Sequence, residues 1–250
     1  MMPSAVKDEQ GVLSLWEHAN GLNRFDRDDA LITLGSGAQA PRVLGQRQQA
    51  LVSLRARLFG QHLQLRSSCP SCTSTAEFDV DCALLASSLA DYKHSSDPLT
   101  VECDGWRANV RVPDIEDLRA ATQESGDSSE LAVAHALLRM SMLDCHAPDG
   151  EVQAPSSMPA ALADAISNAL DRADPGAAFS FMVTCPECDA PWDAPLDMGG
   201  VLWSEIQTRA ERILLEVDAI ARVYGWTEPQ VLALSPARRA AYLQLATSTS

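Results

Sequence analysis

Residues 62–81, HLQLRSSCPSCTSTAEFDVD, and residues 179–197, FSFMVTCPECDAPWDAPLD, decide the architecture of this 250-residue chain. Each passage holds a Cys-Pro-x-Cys turn, at Cys69–Cys72 and at Cys185–Cys188. An alternating segment precedes each turn, and a second short extended segment follows it with one aromatic, Phe78 or Trp192. Period-two alternation marks a half-buried strand. Each passage ends in an acid followed by an apolar helical stretch. The two passages therefore read as a weak internal repeat of strand, knuckle, strand and helix. Two such units facing each other form a zinc ribbon.

Two cysteines two residues apart can turn both sulfurs toward one ion, and structural zinc takes four soft ligands in a tetrahedron. Cys69, Cys72, Cys185 and Cys188 are accordingly predicted to hold one structural zinc ion. Cys185 follows Cys72 by 113 positions, well beyond the usual ligand spacing. A mainly helical insertion is therefore expected between the two ribbon halves. The cost of closing so long a loop grows only logarithmically with its length. Structural zinc in small peptides contributes roughly 10–16 kcal/mol at neutral pH, which exceeds that cost.

Two rival readings stand beside zinc. A dithiol redox site needs its first thiol at a helix start, but polar and extended residues (TSTAEF, DAPWDAP) follow both pairs. Unligated thiols are the blander alternative. Seven cysteines, an odd number, fit a disulfide framework poorly. Many such knuckles carry glycine after the second cysteine, where φ is positive. Thr73 and Asp189 stand there instead. Threonine tolerates that conformation poorly, so distortion of the first knuckle is expected.

Outward from the ribbon, the chain reads as α+β, mainly α-helical: a split zinc ribbon with small β-hairpins and a long helical insertion. Its predicted parts are an N-terminal helical region (1–60), the first ribbon half (61–81), the insertion (82–177) with a hairpin at 99–112, the second ribbon half (178–198) and C-terminal helices (199–250). Two short helices are expected within 11–34, a loop at 33–41, and a helix over 43–59 closed by Gly60. Asp104-Gly105 signals the hairpin, and Asp114 can cap a helix over 115–122 with an approximate capping box to Asp117. Residues 122–130 form a polar break. Helices are expected at 82–91, 130–143 and 159–173, with a Pro-rich loop at 145–159. Over 201–224, Leu202, Ile206, Ala210, Ile213, Val217, Ile220 and Tyr224 line one helix side. Thr227 and Ser235-Pro236 begin two short helices, and the closing TSTS is expected to fray.

A formal charge of −15 repels phosphate backbones and anionic lipid. Nucleic acid is thus an unlikely partner, and protein partners are the better expectation. One stretch runs against that charge. From Pro41 to Ala76 there are Arg42, Arg47, Arg55, Arg57 and Arg66 and no acid. It reads either as a solvated or internally paired helix face or as a docking face for an acidic partner. The opening MMPSAVKDEQ lacks the pattern of a secretory signal, and no apolar run reaches the roughly 18 residues of a membrane span. A cytoplasmic setting, with reduced thiols, is expected.

No catalytic constellation is found. Gly35-x-Gly37-x-x-Ala40 superficially matches a dinucleotide fingerprint, but Pro41 follows directly and no acid lies about 20 positions on. Phosphate-loop, nucleophile-elbow and HExxH patterns are absent, so a non-enzyme is expected. Cys82, Cys103 and Cys145 are expected as small buried apolar residues, with Cys145-His146 as a remote candidate for a second metal site. His18, His62, His94 and His135 lack ligand spacing, although His62 lies near the first knuckle in sequence.

LGQRQQALVSLRARLFG (44–60) followed by CPSC, RVPDIEDL (111–118), CPECDAPWDAPLD with VLWSEI (185–206), and YGWTEPQVLALSPARRAAYLQL (224–245) together resemble a baseplate-associated family. Its members are encoded beside baseplate genes of contractile-tailed phages and related injection systems. They are similar to phage baseplate hub assembly chaperones. The resemblance covers most of residues 12–245. It implies a non-catalytic assembly factor or minor component of a contractile tail baseplate, with baseplate or tail proteins as partners. Trp226 and Tyr242, in the last helices, would then be either core or a partner surface. The alternative is a zinc-ribbon nucleic-acid-binding or transcription-associated module, motivated by the arginine run beside the first knuckle.

Overall fold

A computed structural model describes residues 9–91, 97–126 and 130–247. His94, part of the 122–130 break, the opening eight residues and the last three of the TSTS tail lie outside the described residues. Among the described residues the fold is α+β and mainly helical, with three small antiparallel sheets. The chain divides into two compact units. One comprises Met1–Gln39, Arg57–Phe59 and Asp197–Ser250; the other comprises Ala40–Ala56 and Gly60–Leu196.

The first unit is helical. α1 (Glu9–Ala19) and α2 (Arg24–Ser36) pack with α8 (Met198–Tyr224), followed by α9 (Glu228–Leu232) and α10 (Pro236–Thr247). Asn23 caps α2 by accepting the N–H groups of Phe25 and Asp26. α2 runs four residues into the expected loop and stops at Gly37, whose φ is +71°. α8 begins three residues before its expected start, because Asp197 accepts the Gly200 N–H at 3.1 Å and caps the turn. Leu202, Ile206, Ala210, Ile213, Val217 and Ile220 are all buried, as their three- and four-residue spacing predicts. Trp226 and Tyr242 are half-buried. They form one cluster with Tyr224, at centroid separations of 4.9–5.4 Å, packed on the Ile213–Ile220 core. Their role in this unit is packing.

The second unit carries the ribbon and a sheet. β1 (His62–Ser68) pairs with β2 (Thr75–Asp81), and β6 (Ser180–Thr184) with β7 (Pro191–Pro195). Asp81 accepts the N–H groups of Ala83 and Leu84 and so starts α4 (Cys82–Asp91). The acid that closes each ribbon passage is thus a helix cap. β3 (Leu99–Cys103) and β4 (Trp106–Val110) form the expected hairpin, with Asp104 and Gly105 at φ +50° and +79°. Asp114 and Asp117 form a complete capping box on α5 (Ile115–Ser125), which extends three residues beyond its expected end.

The next segment departs from expectation. α6 (Glu130–Ser141) ends at Ser141, and Met142–His146 forms a third strand, β5, beside β4. These residues are neither helix nor loop because the second edge of β4 needs a partner. Ala108, fully buried, faces Cys145 in the register. α7 (Ala160–Ala173) covers the inner face of this sheet, burying Leu162 and Ile166 against Val101, Ala108, Val110 and Cys145. Burying each such side chain stabilises by roughly 1.5–3 kcal/mol.

α3 (Leu44–Phe59) resolves the arginine run. Arg47 is buried and donates to the Pro41 carbonyl; Arg55 is buried and donates to the Gly60 and His62 carbonyls and to Cys82 Sγ. Arg42 pairs with Asp114 at 2.6 Å, Arg66 with Glu77 at 2.8 Å, and Arg57 donates to the Gly35 carbonyl. Arg47 and Arg55 are thus structural, while Arg42, Arg57 and Arg66 make internal bonds from exposed positions.

Candidate metal centre

The ribbon halves bury their alternating faces against each other. Ala76, Val183 and Ala194 form the centre, with Phe78, Phe181 and Trp192 around it. Phe78 and Phe181 lie 5.5 Å apart between centroids, and the Trp192 indole N–H donates to Ser67 Oγ at 3.2 Å. Ser68 pairs with Thr75, and Thr184 with Pro191, at the strand ends next to the knuckles. Face-to-face packing therefore brings both turns to one end of the ribbon.

Each knuckle is stitched by the same bonds. Cys69 N–H donates to Ser74 O at 2.9 Å and Cys185 N–H to Ala190 O at 3.0 Å. Thr73 N–H returns to Cys69 O at 2.9 Å and Asp189 N–H to Cys185 O at 3.1 Å. Ser71 N–H points at Cys69 Sγ and Glu187 N–H at Cys185 Sγ, both at 3.4 Å. Thr73 and Asp189 both adopt positive φ, +63° and +55°. The expected distortion of the first knuckle does not occur. Threonine takes up the left-handed conformation, and its hydroxyl donates to the Cys72 carbonyl at 2.7 Å.

All four predicted cysteines converge. Their sulfurs lie within 4.8 Å of one another, with Cys72–Cys185 at 3.5 Å and Cys69–Cys188 at 3.8 Å. A tetrahedron with metal–sulfur bonds of ~2.3 Å separates its sulfurs by about 3.8 Å, so the set fits one ion. Cys69 and Cys185 are buried; Cys72 and Cys188 are exposed. Four thiols this close cannot ionise alike. The Ser74 hydroxyl, followed by the Glu187 and Cys188 N–H groups, helps draw Cys185 down to about 6 despite its burial. Ser74 likewise lowers Cys72, through its hydroxyl and then its N–H. The Ala190 N–H favours the Cys188 thiolate, but the neighbouring Cys72 and Cys185 sulfurs outweigh it and push Cys188 up to about 12. A bound dication would remove this conflict by accepting all four thiolates.

Among the described residues no other group of three or more potential ligands converges. Cys145 is buried in the sheet core, and burial raises its thiol. His146 lies against Asp144 at 3.4 Å and is not part of a ligand cluster. Cys82 is fully buried beside Arg55, whereas Cys103 is only partly covered. His62 stands at the opposite end of its hairpin from the knuckle, paired with Asp79 at 3.3 Å, and does not orient it. Ser74 was not singled out by sequence. The signal lay in the repeat, where Ala190 is its counterpart. No helix is long and apolar enough to cross a membrane among the described residues. No family model, curated protein or solved structure matches this chain.

Proposed function

We propose that Cys69, Cys72, Cys185 and Cys188 hold one structural zinc ion, and that the chain is a non-catalytic interaction protein serving contractile-tail baseplate assembly. The convergence of four sulfurs from two knuckles 113 positions apart carries the metal part of this reading. Four thiolates are a soft donor set with no place kept for substrate or water, which suits closed zinc coordination. The ion crosslinks the two ends of the insertion. The assembly role rests on the sequence resemblance at 44–72, 111–118, 185–206 and 224–245. The nucleic-acid alternative draws less support from the arginine run, since Arg47 and Arg55 are committed to internal carbonyls and only Arg42, Arg57 and Arg66 are exposed.

Metal content by elemental analysis, and co-purification with co-expressed baseplate hub proteins, test both parts on one sample. The expected result is one zinc per chain and a stable complex. A metal-free, folded protein would overturn the zinc centre. A zinc-loaded chain that neither binds the hub proteins nor raises their yield would overturn the assembly role.

A further inference from the structure

The two knuckles share their backbone bonds and differ in two side-chain hydroxyls, Thr73 on the Cys72 carbonyl and Ser74 on the sulfurs. Ser74 Oγ lies 3.0 Å from Cys72 Sγ, in its own knuckle, and 3.1 Å from Cys185 Sγ, across the ribbon. The equivalent residue of the second knuckle, Ala190, has no hydroxyl. One hydroxyl proton can serve one sulfur at a time, and its position between the two lets it serve either. A donor to a metal-bound thiolate withdraws charge from sulfur and holds the ligand's orientation. Of the two exposed ligands, Cys72 has this donor and Cys188 does not.

We infer that Ser74 is a positioning residue of the metal centre, holding the Cys72–Cys185 pair on the ion so that Cys188 is the ligand that yields first. This rests on the zinc reading above and adds an order to ligand release. A chelator or an electrophile therefore enters at Cys188. With iodoacetamide, the Cys188 thiolate displaces iodide, a sulfur–carbon bond forms, and that ligand is lost to the ion.

The 250-residue chain is loaded with zinc, and separately with cobalt, as wild type, Ser74→Ala, Ser74→Thr and Ala190→Ser. Zinc release to excess chromogenic chelator is expected to quicken roughly 10- to 100-fold in Ser74→Ala, the range typical of lost outer-shell donors. Ser74→Thr should restore the slow rate, and Ala190→Ser should slow release below wild type. The sulfur-to-cobalt charge-transfer band should shift to lower energy in Ser74→Ala, because an undonated thiolate gives up its electron more readily. A loss of packing alone would not produce that shift. Under limiting iodoacetamide, peptide mapping should find Cys188 modified first in wild type and Cys72 modified alongside it in Ser74→Ala. Unchanged release and an unchanged band in Ser74→Ala, or first modification at Cys72 in wild type, overturn the inference while leaving the zinc reading intact. If Ser74→Ala does not fold, Ser74→Thr and Ala190→Ser decide by the same measurements. Wild type that takes up neither metal overturns both.

Discussion

Asp174 Oδ2 accepts the backbone N–H of Gly45 at 3.0 Å, joining the end of α7 to the first turn of α3 across 129 positions. Val43, at the local capping position, makes no side-chain cap, so a buried carboxylate from a distant helix supplies the missing acceptor. The chain can come this close only because side chains are absent. A Cβ on Gly176 would lie 2.8 Å from Gly45 Cα and 3.1 Å from Leu89 Cδ2. Gly176→Ala is expected to destabilise by ~1–3 kcal/mol, the usual cost of overpacking, because backbone atoms cannot yield as a side chain can. Asp174→Ala should cost ~1–3 kcal/mol by leaving the α3 end unsatisfied. Denaturant midpoints with unchanged slopes check both. A neutral Gly176→Ala would contradict the close approach.

Metal removal should act locally. The ribbon faces enclose a small centre of Ala76, Val183 and Ala194, whereas the β3–β4–β5 sheet has its own core with Leu162 and Ile166. Cys185→Ser, or chelation of the wild type, is therefore expected to abolish amide protection in β1, β2, β6 and β7 and to shift Trp192 fluorescence toward that of exposed indole. Protection in β4 and α7 should persist. Hydrogen exchange resolved by peptide distinguishes this from global unfolding.

Thr73 holds a conformation that β-branched residues resist. Thr73→Gly removes that strain, which outweighs the larger entropy glycine loses on folding and the lost hydroxyl bond to the Cys72 carbonyl. A net gain of ~0.5–1 kcal/mol is expected, measured as a rise in thermal midpoint of the metal-loaded protein. Asp189→Gly should gain less, since aspartate visits the left-handed region more readily. Equal effects at the two positions would show that side-chain shape is not the cause.

The ribbon was legible because its determinants are local: a cysteine spacing, a period-two alternation and an aromatic in each half. The helix faces of α8 were legible for the same reason. β5 was not. Met142 and Leu143 continue an apolar run that suits a helix, Cys145 and His146 open a Pro-rich stretch that suits a loop, and only the open edge of β4, 30 or more positions earlier, makes the segment a strand. Arg47 and Arg55 looked like a charged surface because a charge run carries no sign of buried carbonyls nearby. The undistorted first knuckle has a similar origin. Seven paired residues in β1 and β2 hold the turn closed, and Thr73 conforms to it.

Acid should weaken the start of α5 through one identifiable carboxylate. Arg111 grips Asp117 with two bonds, at 2.5 and 2.6 Å, and Asp117 also accepts the Asp114 N–H at 2.8 Å. The Arg111 guanidinium, ahead of that N–H, holds the Asp117 carboxyl below the usual carboxylate range despite partial burial. A carboxylate whose folded pKa is depressed contributes stability in full above its unfolded value of ~3.9, and that contribution disappears as pH falls through the folded value. Asp117→Asn is therefore expected to be less stable than wild type at neutral pH, with the gap narrowing on acidification below about pH 4. The difference between paired denaturation midpoints measures this directly, since metal loss at low pH affects both proteins alike. A gap independent of pH would show that charge contributes nothing there.

Arg239 is the largest side chain buried in the helical unit, 1% exposed, and it is held entirely by charge and hydrogen bonding. Its guanidinium donates to Glu9, to Glu216 at 3.2 Å and to the Leu234 carbonyl at 2.9 Å, while Arg209 meets the other oxygen of Glu9 at 2.6 Å. The set ties the first turn of α1 to α8 and α10. Such a network adds little compared with well-packed apolar residues, but removing one member leaves its partners with fewer of the hydrogen bonds that offset their burial. Arg239→Ala leaves Glu9 to Arg209 alone and Glu216 to the largely exposed Arg212, each short of its buried partner, and is expected to cost ~1–3 kcal/mol. Arg239→Met, which refills the volume without the charge, should leave most of that loss in place if the carboxylates' lost hydrogen bonds are its cause. Adding Glu216→Gln to Arg239→Met should then recover part of the stability. Recovery with Arg239→Met alone would assign the cost to lost packing instead, and a double-mutant cycle on denaturant midpoints separates the two.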